Sequence, residues 1–368
     1  MTLTTESAAS SVVGQTPLSL MTAAFPQTAL WNDSADPVQL AASIANGAVG
    51  ATCNPVIAVA AIKADLPRWQ ARIAEIAAER PTAGESEIGW QVVEELSIEA
   101  ARLLEPAFVA SGGRNGRLSM QTDPRLHRDP EALVAQAVHF SSLAENIIVK
   151  IPATAAGVIA MEEATFQGVA INATVSFTVA QVVAVAEAIE RGLDRRTAAG
   201  LPELELGSVA TLMGGRLDDW LKVVAGRQNL LLTPGILDWA GVAALKNAHR
   251  ILTERGMRTR VLSAAFRNHL QLSELVGGDL VISPPFEWQQ KIDAAGIDLP
   301  SRIDVPVDEA ILAELHAALP EFTRAYEPYG LTHEEFAEFG ATRATLRQFL
   351  FADEQLDALV REVLVPAP

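Results

Sequence analysis

A single cysteine, Cys53, in 368 residues excludes an intrachain disulfide and fits a reducing compartment. Positive charge is scarce as well. Five lysines and 23 arginines face 45 acidic residues, for a formal net charge of -17. Nucleic acid and anionic membrane would repel such a chain, so neither is an expected partner. A small anionic substrate stays open, because two local arginines can outweigh distant carboxylates. No run reaches the ~18 to 20 apolar residues of a membrane helix; "FTVAQVVAVAEAI" stops short and carries a Gln and a Glu. The opening "MTLTTESAASSVVGQTPLSL" lacks a basic segment followed by an apolar core and does not read as a secretory signal. Residues 1–25 are expected to form a mobile polar tail, and 26–368 a single domain. Location in the cytoplasm and a monomeric or homodimeric state are the matching expectations. Aromatic residues are few, at 5%, while hydrophobic residues reach 49% with many alanines, which suggests a core faced by Ala-rich helices.

What is present is alternation. Short apolar runs near 28–33, 47–53, 116–121, 146–152, 168–175, 207–213, 259–266 and 278–285 are separated by segments of helical period. Strand and helix in steady exchange imply parallel pairing with helical crossovers. Eight such units predict an α/β fold, a closed (β/α)8 barrel. An open doubly wound sheet is the alternative, but no Gly-rich phosphate loop follows the first strand. The segment 54–115 has room for two or three extra helices, and the chain beyond about 300 reads as helical throughout.

Side chains alternate along a strand, so polar residues sharing one face near a strand's C-terminal end mark the mouth of a barrel. Ser119 and Gln121 share a face in "GRLSMQ", as do Asn172 and Thr174 in "AINATV". Lys150 falls with Ile148 in "NIIVKIP", and Asp33 with Trp31 in "ALWND". Lys150 is the sharpest case. Burial favours the neutral amine, the nucleophile that condenses with a carbonyl, and arginine could not replace it. A lysine paired with a carboxylate, or one reaching solvent, is the structural alternative. Asp33 fits a proton acceptor beside the lysine or a helix N-cap. Asn54 in "TCNP" fits a turn before proline. Asn172 and Thr174 could satisfy each other across the lumen. Arg216 and Arg267 each follow an apolar strand, suiting surface ion pairs or a bidentate phosphate grip.

The stretch "NIIVKIPATAAGVIAMEEATFQGVAINATVSF" resembles the transaldolase family, Schiff-base barrel enzymes of sugar phosphate metabolism. The resemblance extends through "LWNDS", "GATCNP", "RLSMQTDPRL", "SVATLMGGRLDDW" and "LSAAFRN", from about residue 28 to the C-terminus. It implies that Lys150 forms the Schiff base and that Asp33 moves the proton of a sugar hydroxyl. Asn54 and Asn172 would hold the hydroxyls of a dihydroxyacetone unit, Thr174 would position water, and Arg216 and Arg267 would bind the substrate phosphate. It also implies sugar phosphates as the small-molecule partners, of the sedoheptulose 7-phosphate and fructose 6-phosphate type. No metal or organic cofactor is implied, since the iminium is the electron sink. Two departures stand out. Gln121 occupies the position of a catalytic glutamate, a group type that contributes typically ~10² to 10⁴-fold. The related fructose 6-phosphate aldolases carry glutamine there, with a tyrosine three residues before the arginine matching Arg216; here that residue is Met213. Thr211 and Ala265 stand where transaldolases commonly have serines near the phosphate. A transaldolase-like enzyme, an aldolase of the same superfamily, and a catalytically weak sugar-phosphate-binding protein all follow as readings.

Overall fold

The computed structural model describes residues 16–367. Eight short strands, β1 (Thr28–Leu30), β2 (Gly50–Cys53), β3 (Arg117–Gln121), β4 (Ile147–Pro152), β5 (Ile171–Thr174), β6 (Val209–Leu212), β7 (Arg260–Ser263) and β8 (Leu280–Ile282), pair in parallel. The sheet order is β1-β8-β7-β6-β5-β4-β3-β2. Between its two end strands, the Val49 N–H donates to the Leu30 carbonyl at 2.8 Å, and a parallel bridge joins Asn32 to Ala51. The sheet therefore closes into the expected (β/α)8 barrel, its strands buried on both faces as parallel strands are.

Helices cover the outside. They are α1 (Pro17–Ala24), α2 (Pro37–Ala45), α3 (Pro55–Ala64), α4 (Leu66–Glu79), α5 (Glu85–Ala110), α6 (Pro130–Ser141), α7 (Ala155–Phe166) and α8 (Val179–Ala198). After these come α9 (Gly214–Arg227), α10 (Ala240–Glu254), the one-turn α11 (Leu270–Ser273), α12 (Phe286–Ala295), α13 (Glu309–Ala318), α14 (Pro320–Tyr326) and α15 (Gly340–Leu364). Three helices fill the long connection after β2, and the chain beyond 300 is helical in its ordered elements, both as read from the sequence. Caps explain many of the starts: Asp36, Asn54, Asp129, Thr154 and Thr178 each accept a first-turn N–H. No helix among the described residues is long and apolar enough to cross a membrane.

One expectation is corrected. Within the segment taken as a mobile tail, residues 17–24 form α1. Thr16 and Ser19 make a reciprocal capping box, Pro17 opens the first turn, and Leu18 and Met21 are buried. Leu18 and Met21, three residues apart, give a one-faced turn that the surrounding Ser and Thr disguise as polar chain. The Leu18 N–H also donates to Asp293 Oδ1 at 3.1 Å, tying α1 to α12. Residues 1–15 of the expected tail lie outside the described residues.

The barrel interior is filled in layers. Trp31 is fully buried, and a Cβ on Gly50 would lie 2.4 Å from its indole ring, so this glycine is what admits the tryptophan. At the N-terminal end of the strands, Arg117 donates to the carbonyls of Gly113 (2.8 Å), Glu145 (3.4 Å) and Glu205 (3.1 Å). Arg260 donates to Asn115 Oδ1 at 3.1 Å and to the Arg114 carbonyl at 3.0 Å. Burial pushes both guanidinium groups down to about 10.

Candidate active site

At the opposite end, register brings the polar residues together. Gln121 pairs with Lys150, and Lys150 with Asn172, so three neighbouring strands present them side by side on the inward face. Thr174 follows Asn172 by two residues on the same face.

Lys150 is 3% exposed. Among the described residues its amine enters no hydrogen bond and no salt bridge, unlike the other buried lysine, Lys246, which lies 3.0 Å from Glu274 Oε2. Burial lowers its pKa below the ordinary lysine value, and the Arg216 charge adds to the effect. Asp33 and Cys53 oppose it, without reversing it. The carboxylate-pair alternative for Lys150 is therefore not what the fold builds. Cys53 itself is an inert neighbour, its thiol pushed up to about 12 by burial.

Asp33 sits just beyond β1. The Thr52 hydroxyl donates to its Oδ1, and its own N–H donates to the Pro284 carbonyl at 3.1 Å. The cap for the helix after "ND" is Asp36, not Asp33, which leaves the Asp33 carboxylate at the mouth. Asn54 caps α3, accepting the Ile57 N–H at 3.1 Å on Oδ1. That bond leaves the Asn54 amide N–H₂ as the group available to a ligand.

Asn172 and Thr174 do not satisfy each other. Asn172 donates to Ser119 Oγ at 2.8 Å and accepts from Thr211 Oγ1 at 2.7 Å, a bridge spanning β3, β5 and β6. Thr174 Oγ1, Gln121 Oε1 and Ser176 Oγ are buried without a partner among the described residues. Orphaned buried polar atoms are rare in folded proteins, so their grouping at one barrel end is informative. Val175, between Thr174 and Ser176, has φ 52°, a strained value for a β-branched residue.

Arg216 and Arg267 line one cavity of about 310 Å³ with Asp219, Trp220, Thr345 and Gln348. Arg216 Nη1 donates to Gln348 Oε1 at 2.5 Å and Thr345 Oγ1 at 3.2 Å on α15, while its buried Nε has no partner. Burial, and then the nearby Arg267, lower its pKa. Arg267 Nε donates to Asp219 Oδ2 at 2.8 Å. The two arginines meet because of Gly215: a Cβ there would lie 1.9 Å from the Ala265 carbonyl and 2.8 Å from Arg267 Cγ. Met213 stands at the N-cap of α9, its N–H donating to the Ser176 carbonyl at 2.9 Å, and Ala265 takes φ 62°.

A family model described as Transaldolase/Fructose-6-phosphate aldolase matches residues 30–330. The chain belongs to that family. It is 33% identical over 272 residues to Transaldolase 1 of Streptomyces coelicolor, covering 67% of this chain and 69% of that protein. It is 30% identical over 304 residues to the transaldolase of Thiobacillus denitrificans, covering 76% and 81%. With Transaldolase 1 of Streptomyces avermitilis it shares 36% over 172 residues, 46% of this chain and 45% of that one.

For a transaldolase/aldolase family member the fold adds residues that the sequence reading missed. Ser176 lies two residues past the end of β5, beyond the left-handed Val175, where strand alternation no longer predicts its direction. Thr52 lay on an apolar strand with no charge to draw notice. Thr345 and Gln348 had no signal at all, since only folding brings α15 to Arg216.

Proposed function

We propose that this chain transfers a dihydroxyacetone unit between sugar phosphates through a Schiff base on Lys150. The observation that carries the reading is a buried lysine without a carboxylate partner, beside Asp33 and within reach of the Arg216 charge. A neutral amine attacks the ketose carbonyl carbon, and loss of water leaves an iminium. Asp33 takes the proton of the hydroxyl on the carbon at the far end of the bond to be cut, which becomes the aldehyde carbonyl. The bond breaks, an aldose phosphate leaves, and its electron pair moves into the iminium to give an enamine. The enamine then attacks a second aldehyde, and water returns the new ketose and the free amine. The electron sink is the iminium itself, so this route calls for no metal or organic cofactor.

In this reading Asn172 and the Asn54 amide hold the hydroxyls of the three-carbon unit, and Thr174 orients the hydrolytic water. Arg216 and Arg267 take the phosphate, exchanging Gln348 and Asp219 for phosphate oxygens, with Thr211 holding Asn172 in place. Planar guanidinium groups suit that bidentate exchange.

Gln121 favours a second reading within the family. An amide cannot accept the proton that a glutamate would, so hydrolysis through bound water loses its base. An aldolase that joins or cleaves dihydroxyacetone without obligatory transfer is consistent with that residue.

Borohydride trapping separates the readings. Fructose 6-phosphate, sedoheptulose 7-phosphate, fructose and dihydroxyacetone would each be incubated with the protein and reduced, and the adduct located by peptide mass mapping. A dihydroxyacetone-sized adduct on Lys150 from a phosphorylated ketose is the expected result. An adduct from dihydroxyacetone alone would favour the aldolase. A folded sample that gives no adduct with any of the four would leave a sugar-phosphate-binding protein as the better account.

A further inference from the structure

Behind the arginine pair lie two buried residues that line no part of its cavity. Asp218, on α9 two residues after Arg216, is fully buried. Its Oδ1 accepts the Gly241 N–H at 2.7 Å and its Oδ2 accepts Gln271 Nε2 at 2.7 Å. Gln271, on α11 and also fully buried, accepts on Oε1 from the backbone N–H of Arg267 at 2.6 Å and of Asn268 at 3.4 Å. Backbone amides only donate, so the oxygen of Gln271 must face Arg267 and its nitrogen must face Asp218. The loop it holds needs support. Ala265 sits in the left-handed region, which is unfavourable for an alanine, and its carbonyl lies so near Gly215 that a Cβ there would be 1.9 Å away.

We infer that Asp218 is a positioning residue: acting through Gln271, it fixes the Arg267 backbone so that the guanidinium meets the substrate phosphate. The inference rests on the reading of Arg267 as a phosphate ligand. The relay runs from the α9 helix that carries Arg216 to the loop that carries Arg267, so it sets the spacing of the two arginines. In either ionisation state the two Asp218 oxygens keep lone pairs for the Gly241 and Gln271 donors; an amide nitrogen keeps none. Asp218→Asn therefore sets one N–H against another. If Gln271 turns over to accept from the new amide, its own N–H₂ then confronts the Arg267 N–H. A second change, Gln271→Glu, restores every pairing: the asparagine nitrogen donates to one glutamate oxygen, and the other accepts from Arg267.

The test follows the Lys150 adduct as a function of donor concentration, with fructose 6-phosphate and unphosphorylated dihydroxyacetone, on full-length protein. Asp218→Asn should raise the fructose 6-phosphate concentration for half-maximal adduct about tenfold, the loss expected from one unmade buried hydrogen bond. The limiting adduct yield and the dihydroxyacetone response should not move. Gln271→Met should behave alike, which covers the case in which Asp218→Asn does not fold. Asp218→Asn with Gln271→Glu should recover most of the loss. Arg267→Ala is the control, and it should abolish the advantage of the phosphorylated donor. An unchanged response in Arg267→Ala, or no adduct in the parent protein, overturns the phosphate reading and the inference with it. A strong effect in Arg267→Ala with none in Asp218→Asn or Gln271→Met overturns the relay alone. So does a double variant no better than Asp218→Asn.

Discussion

At the N-terminal end of the barrel, Arg117 and Arg260 point inward and spend their donors on the carbonyls of Gly113, Glu145, Glu205 and Arg114 and on Asn115. At the C-terminal end Lys150 points inward with no such partners, and Gln121, Thr174 and Ser176 at that end carry buried oxygens without partners among the described residues. Both ends bury basic side chains, yet only the arginines at the N-terminal end find hydrogen-bond partners among the described residues. The completed end is a plug that closes the barrel. The incomplete end keeps polar groups desolvated and unpaired, a cost that a ligand can offset. Lys246 shows that this chain can pair a buried lysine where structure requires it: besides Glu274, its amine reaches the Arg302 and Val305 carbonyls at 2.8 and 2.6 Å.

The contrast is broken most severely at Lys150. Lys150→Met should leave a folded barrel and reduce turnover on the order of 10⁴ to 10⁶-fold, as loss of a covalent nucleophile does. Turnover within tenfold of the parent would rule out the Schiff base. Gln121→Glu should act in the other direction, raising turnover with sedoheptulose 7-phosphate by up to about 10²-fold if a missing base limits proton transfer. Equal or lower turnover with intact folding would count against that role. Arg117→Met at the plug should cost roughly 1 to 3 kcal/mol of stability by leaving the Gly113 carbonyl without its donor, read as a lower urea midpoint. It should still form the Lys150 adduct. Loss of the adduct in folded Arg117→Met would mean that the two ends are not separable.

The mildest test is pH. A lysine with a lowered pKa becomes a neutral nucleophile as pH rises through that value, so the trapping rate should climb with pH and then level off. Asp33 holds this pKa up, so Asp33→Asn should move the rise to lower pH. A trapping rate that shows no rise anywhere below the ordinary lysine value of about 10.4 while the protein stays folded would contradict the assignment. Stability should trend the other way. Burial raises the carboxyls of Asp218 to about 8 and Asp353 to about 7. Between the unfolded value near 4 and those values the folded state holds protons that the unfolded state has released. Their contribution therefore falls as pH rises through that window, readable as a declining Tm.

Strand period and residue type alone determined much of this protein. Eight alternating units implied parallel strands, and a two-residue period put Lys150, Gln121, Asn172 and Thr174 on the inward face, because alternation along a strand is local geometry. The tertiary structure decided what each polar group does with its neighbours. Asn172 could have paired with Thr174 across the lumen, and only the curvature of the sheet gave it Ser119 and Thr211 instead. Asp33 was a candidate helix cap in the sequence until the turn after β1 gave that work to Asp36. Thr345 and Gln348, about 130 residues from Arg216, were illegible because long-range proximity is not written in any local pattern. Hydrogen bonds act over about 3 Å, and which groups come that close is settled by packing rather than by sequence order.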